Sequence, residues 1–200
     1  MSTLVGMGPV PAWGSPPKHG PEPGPEVMVM RRSSAVLGSA IWFVLAPGVV
    51  AGLVPWWLTG WRFGSIPAGP VAGVSQVVGG VLVLAGVGLL VGAFVRFVVE
   101  GHGTPAPVAA PDRLVVGGLY RYVRNPMYLG VNACLLGQTM LLWQPALLWY
   151  GLAVAAVEAL FVYGYEEPAL RGSFGPAYDE YRRNVPAWLP RLRPWTPQAP

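Results

Sequence analysis

The chain has 200 residues, of which 53% are hydrophobic and only 11% charged, with a net charge of +4 and a mean hydropathy of +0.46. Soluble domains carry roughly a quarter charged residues, so this balance excludes an ordinary water-soluble fold and points to an integral membrane protein. The basic surplus forms no stripe interleaved with aromatics, which excludes a nucleic-acid surface and fits positive residues flanking membrane spans.

Residues 1–27 hold seven prolines and five glycines, few charges and no apolar period. They cannot bury enough surface to offset the entropy of ordering, and residues 1–30 are expected to form a disordered tail. The tail lacks the basic start, apolar centre and small-residue cleavage site of a secretory signal. Arg31-Arg32 is read as a cytoplasmic anchor ahead of a span rather than as a twin-arginine export signal.

Between Arg32 and Arg62 no residue is charged, ample for a helix that needs roughly 20 residues to cross the hydrocarbon core. The first span is placed at 34–59, kinked or shortened by Pro47 and Pro55, with Trp56, Trp57 and Trp61 at an interface. A second charge-free run ends at Val95 and predicts a helix over 70–99. Its glycines Gly79, Gly80, Gly86, Gly88 and Gly92 permit close backbone approach. Residues 100–122 are polar and broken by prolines and glycines, so they form a loop or linker rather than one helix.

Asn125-Pro126 opens the next apolar run, because Asn125 is pushed out of the α region and Pro126 suits the first turn of a helix. Trp143-Gln144-Pro145 divides that run into arms at 127–143 and 145–165, a helical hairpin. The first arm has 17 residues, about 25 Å at the helical rise, slightly short for a full crossing. Glu158 lies inside the second arm and must face protein or a polar cavity, as a structural contact or a functional group. Glu166-Glu167 is expected at the membrane exit. Gly175-Pro176 should start a short helix carrying Tyr178, Tyr181 and Val185, which must pack on something.

Basic residues fall three before the first span, one between the first and second, four after the second, none inside the hairpin and five after it. That distribution puts both termini in the cytoplasm. The fold expected is therefore an all-α integral membrane protein of about four transmembrane helices, with a C-terminal hairpin and cytoplasmic cofactor-binding loops. The division expected is a 1–30 tail, two spans over 31–99 and a core over 100–200 made of a polar loop, a transmembrane hairpin and a C-terminal amphipathic segment.

The single cysteine, Cys134, is read as a small hydrophobe, and no internal disulfide is possible. His19 and His102 stand apart from any other His or Cys, so no metal site is expected. On the cytoplasmic face the sequence instead collects a Gly-Thr-Pro loop, an Arg-Asn-Pro helix start, paired carboxylates and several tyrosines, all beside apolar helices. Carboxylates accept from ribose hydroxyls or an ammonium, arginine pairs with a carboxylate, and tyrosines wall a flat base, which suits a polar cofactor meeting a lipid-like substrate. The residues alone leave a membrane enzyme, a non-catalytic scaffold and a nicotinamide-dependent reductase open, although no Gly-x-Gly-x-x-Gly follows a strand.

Leu114-Val115, Gly118-Leu119-Tyr120, Arg124-Asn125-Pro126-Met127-Tyr128 with Gly130, Glu166-Glu167, Phe174-Gly175, Tyr178, Tyr181, Val185-Pro186 and Leu189-Pro190 form an ordered set over the last half of the chain. This set resembles the membrane-embedded isoprenylcysteine carboxyl methyltransferase and phospholipid methyltransferase group. The resemblance implies an S-adenosylmethionine-dependent methyltransferase, with Leu114, Val115, Tyr120, Asn125, Pro126, Tyr128 and Glu166 holding the cofactor and Arg124 and Glu167 as candidate catalytic residues. Its implied partners are the bilayer and a methyl acceptor, either lipid-like or a small molecule. Two departures narrow the transfer. Many relatives have His where this chain has Asn125, which loses a titratable ring. The eukaryotic carboxyl methyltransferases place a substrate-binding arginine where this chain has Val162. The acceptor is left open among a phospholipid amine, another lipid and a small thiol.

Overall fold

The computed structural model describes residues 45–66, 69–101 and 114–196. The expected N-terminal tail, the start of the first span and most of the polar loop before Leu114 lie outside the described residues. Within them every regular element is helical. A π turn, Val49–Leu53, leads into α1, Val54–Thr59. α2 is Pro70–Gly101, α3 Pro126–Leu142 and α4 Pro145–Phe161. A second π turn, Val162–Glu166, carries the chain into α5, Glu167–Phe174, and α6, Pro176–Asn184, follows. Two stretches are long and apolar enough to cross a membrane, Pro70–Arg96 and Pro145–Phe174.

Proline marks where helices start. Pro126, Pro145 and Pro176 each stand in the first turn of a helix, where a missing N–H costs nothing. Gly60 (φ +56°) and Trp143 (φ +53°) end helices in the left-handed conformation.

The best-packed contact joins α2 and α3 as an antiparallel pair. A methyl group added to Gly137 would stand 2.6 Å from the carbonyl oxygen of Gly79, and one on Gly86 would stand 2.7 Å from that of Gly130. Backbone thus lies on backbone at two levels one heptad apart. Of the six glycines over 70–99, Gly79 and Gly86 face α3, whereas Gly73, Gly80 and Gly88 have nothing within 4 Å. Ser75 Oγ donates to the Met140 carbonyl at 3.0 Å, and Leu90, Val131, Cys134 and Leu135 fill the seam.

Prolines also explain the π turns. Pro55 has no N–H to offer the Ala51 carbonyl, which accepts from Gln138 Nε2 at 2.7 Å instead. Val54 reaches back five residues to the Val49 carbonyl, and the Val50 carbonyl accepts from Tyr150 Oη at 2.9 Å. Each backbone group released in an apolar layer is thereby satisfied by a side chain from another helix.

One expectation is corrected. The second hairpin arm does not end at Tyr165. Pro168, inside the first turn of α5, removes a donor, and the chain absorbs the loss by widening the turn so that the Glu167 N–H bonds to the Val162 carbonyl. The helical path then continues to Phe174, and Gly175 (φ +49°) breaks it. Glu166 and Glu167 therefore sit inside a long helical stretch rather than at its end.

If the α2–α3 contact holds the fold, Gly137→Ala should lower stability by about 1–3 kcal/mol through overpacking. Gly88→Ala, with open space at its Cβ, should leave the thermal unfolding midpoint in detergent unchanged or slightly raised.

Candidate functional site

The site is built at the N-terminal end of α3. Gly118 (φ +55°) opens a short 3-10 turn, Gly118–Arg121, where a Cβ would press on the Arg96 side chain. The turn sets Tyr120 against Ala93 and Val115 in one small core. Asn125 then leaves the helical region at φ −117°, and buried Pro126 begins α3.

The C-terminal segment is tied across this loop by backbone bonds. Arg124 N–H donates to the Pro186 carbonyl at 2.9 Å, Arg191 N–H to Tyr122 at 3.0 Å, and Trp195 N–H to Arg121 at 2.9 Å. Side chains add to them: Arg124 Nε donates to the Val185 carbonyl at 2.9 Å, Asn125 Nδ2 to Ala187 at 3.2 Å, and Tyr181 Oη to Tyr120 at 2.7 Å. Tyr178, Tyr181 and Val185 form the core of this cap, with Leu114 packed beside them.

Under the cap lies a cavity of about 80 Å³ lined by Leu114, Val115, Tyr120, Arg124, Asn125, Val162, Glu166, Glu167, Leu170, Tyr178 and Tyr181. The sequence-predicted site residues meet here. Seven of the nine line the wall, namely Leu114, Val115, Tyr120, Arg124, Asn125, Glu166 and Glu167. Tyr128 joins through its hydroxyl, which donates to Glu166 Oε1 at 2.6 Å. Pro126 is buried in the first turn of α3 and fixes where Asn125 and Tyr128 stand. A larger apolar groove of about 640 Å³, with Gly52, Val87, Leu90 and Gln138 in its walls, has no charged lining residue.

The two adjacent carboxylates are held differently. Glu167 is saturated: Arg124 Nη1 lies 2.5 Å from Oε1 and Arg182 Nε 3.1 Å from Oε2. Arg124 also donates to Tyr178 Oη at 3.0 Å. Glu166 faces the cavity with only the Tyr128 hydroxyl as a hydrogen-bond partner among the described residues. One level deeper, Asn132 Nδ2 donates to the Tyr128 carbonyl and to Glu158 Oε2.

Burial raises the pKa of Tyr120 above the ordinary value of 10.0, and the Glu166 charge adds to the effect. Tyr178 and Tyr181 are raised from the same value mainly by burial. All three remain neutral phenols at physiological pH, so they serve as walls and hydrogen-bonding groups.

Sequence reasoning did not assign Leu170, Tyr178 or Tyr181 to the site wall, nor Asn132 to the polar seam. A signal existed in the i, i+4 spacing of Tyr128 and Asn132 on one helix against Glu158, Val162 and Glu166 on the next. For Tyr163, whose hydroxyl accepts from Trp188 Nε1 at 2.8 Å, no such pattern stood out.

Among the described residues no group of three or more His, Cys, Asp or Glu forms a metal cluster. The model of the phospholipid methyltransferase family matches residues 74–177, from within α2 to the first turn of α6. The chain is also similar to the protein-S-isoprenylcysteine O-methyltransferase of Schizosaccharomyces pombe, 36% identical over 80 residues, 40% of this chain. The stretch spans 34% of that relative's length, about a third. No solved structure matches the chain.

Two outcomes follow from the ion-pair cluster and the buried phenols. Glu167→Ala leaves Arg124 buried without its partner and should cost about 3–5 kcal/mol, read as a fall in thermal unfolding midpoint. Because the folded-state phenol values lie above the unfolded value of 10.0, the unfolded chain releases protons first as pH rises past 10. The contribution of these phenols to stability should be constant below that value and fall above it, with ultraviolet tyrosinate absorbance appearing together with unfolding.

Proposed function

This chain belongs to the phospholipid methyltransferase family, and we propose on that premise that it moves a methyl group from S-adenosylmethionine to a lipid-like acceptor at the membrane. The observation that carries the reading is the cavity that gathers seven of the nine sequence-predicted site residues, with Tyr128 joined to it through Glu166. Its donor set suits the polar part of such a cofactor. Glu166 offers carboxylate oxygens to an ammonium or ribose hydroxyl, Asn125 offers an amide, and Leu114, Val115, Tyr120 and Val162 supply apolar and aromatic walls. At about 80 Å³ the cavity takes only part of a nucleoside cofactor, since pockets for ligands of that size run to roughly 300–1,000 Å³. The remainder projects through the open side, or the cap of Tyr178 and Tyr181 yields on binding.

When bound, the cofactor supplies a methyl group already activated on a sulfonium. The protein therefore has to align the acceptor and exclude water. Leu114, Val115, Tyr120, Asn125, Pro126, Tyr128 and Glu166 hold the cofactor. Arg124 and Glu167 act at the edge of the reacting centre, where their ion pair keeps the Arg124-Asn125-Pro126 start of α3 in register with α5. The catalytic core runs over 100–200, with α2 as its buttress. Four spans with both termini and the site on the cytoplasmic face accord with the distribution of basic residues. The acceptor enters sideways between helices, and Val162 offers no charge to the carboxylate of a prenylcysteine. A phospholipid amine, another lipid or a small thiol are the acceptors considered.

Calorimetry of the detergent-purified protein should give saturable S-adenosylhomocysteine binding and none of NADPH. Glu166→Ala should weaken that binding by roughly tenfold or more, the loss of a charge-assisted hydrogen bond. No binding to a folded protein would sink the reading in favour of a non-catalytic scaffold.

A further inference from the structure

Glu158 is the acidic group for which the cofactor cavity has no use. It lies in the middle of an apolar span, with 9% of its surface exposed, and its only hydrogen-bond partner among the described residues is Asn132, on Oε2. No arginine or lysine among the described residues pairs with it, whereas Glu167 nearby holds two arginines. A carboxylate in hydrocarbon without a cation is costly, and such groups usually stand where a charged ligand or ion passes.

Its position is set by helix periodicity. Tyr128 and Asn132 are one turn apart on α3; Glu158, Val162 and Glu166 succeed one another on the facing helical stretch. The result is two rungs across one seam, Tyr128 to Glu166 and Asn132 to Glu158. The upper rung touches the cavity, and Val162, between the rungs on the second helix, lines it. Glu158 therefore stands one turn below the cavity. Val157, next to Glu158 in the chain, is apolar and 64% exposed, so the helix surface beside the carboxyl is open to lipid.

Asn132 has a definite effect. Its amide is anchored on the Tyr128 carbonyl and donates to Oε2, which fixes the carboxylate and leaves Oε1 as an acceptor. The structure thus presents one carboxyl oxygen, backed by an amide, next to an apolar Val162. We propose that Glu158 is the acceptor-specificity residue: Oε1 receives the cationic head of a lipid amine entering between α3 and α4, and the same charge turns away acceptors bearing a carboxylate. The inference rests on the methyltransferase reading for the reaction but not for the binding event itself.

The test measures binding without turnover. The full chain in neutral maltoside micelles is given radiolabelled dodecylamine, protonated at neutral pH, or dodecanoate as the matched anion, and saturable binding is read by competition with unlabelled probe. The wild type should hold the amine and not the carboxylate. Glu158→Gln should weaken amine binding by roughly 30-fold or more, as expected for a desolvated charge contact, while S-adenosylhomocysteine affinity stays unchanged. Glu158→Asp should recover part of the amine binding. Equal amine binding by wild type and Glu158→Gln overturns the proposal. Should Glu158→Gln fail to fold, the wild type alone decides, since equal affinity for amine and carboxylate overturns it too. Amine selectivity without S-adenosylhomocysteine binding would uphold this site and sink the cofactor assignment, so the two failures are distinguishable.

Discussion

Backbone contact between α2 and α3 is the constraint on which the rest of the structure depends. Lipid tails are as apolar as leucine, so helices in a bilayer gain little from burying apolar area and must rely on close fit and polar contacts. Gly79 against Gly137 and Gly86 against Gly130 provide that fit. Because the contact is rigid and antiparallel, it fixes the start of α3 beside the end of α2. The Gly118 turn, pressed against Arg96, and the Asn125-Pro126 helix start are thereby held in one place. The cavity is a consequence of that placement.

The irregular parts serve the same end. Each π turn lies just before a proline, and each moves side chains by a fraction of a turn relative to an uninterrupted helix. Around Pro55 this lets Gln138 and Tyr150 satisfy backbone carbonyls from two other helices. Around Pro168 it sets Glu166 toward Tyr128 and Glu167 toward Arg124 and Arg182. Adjacent carboxylates thus acquire different partners, which an unbroken helix would also separate by about 100° but not with this offset.

Much of the fold was legible because proline punctuates helices so strongly: the starts at Pro126, Pro145 and Pro176 follow from the sequence alone. Most of the cavity wall was legible too, but through the resemblance rather than through spacing. The run through Pro168 to Phe174 was not, because a proline can be accommodated by a widened turn that leaves no mark in composition. Which glycines pack was equally hidden, since Gly79 and Gly80 are adjacent and only the partner helix distinguishes them. The tie between 185–196 and the loop before α3 rests largely on main-chain carbonyls, which every residue possesses, so no residue pattern announces it.

That tie has a consequence for biosynthesis. The cavity gains its Tyr178 and Tyr181 wall, and the bonds that brace it from Val185, Pro186 and Ala187, only from residues made after α2, α3 and α4. A chain made only as far as α4 therefore lacks a finished cavity, which closes once 176–196 have been made and have docked on the loop before α3.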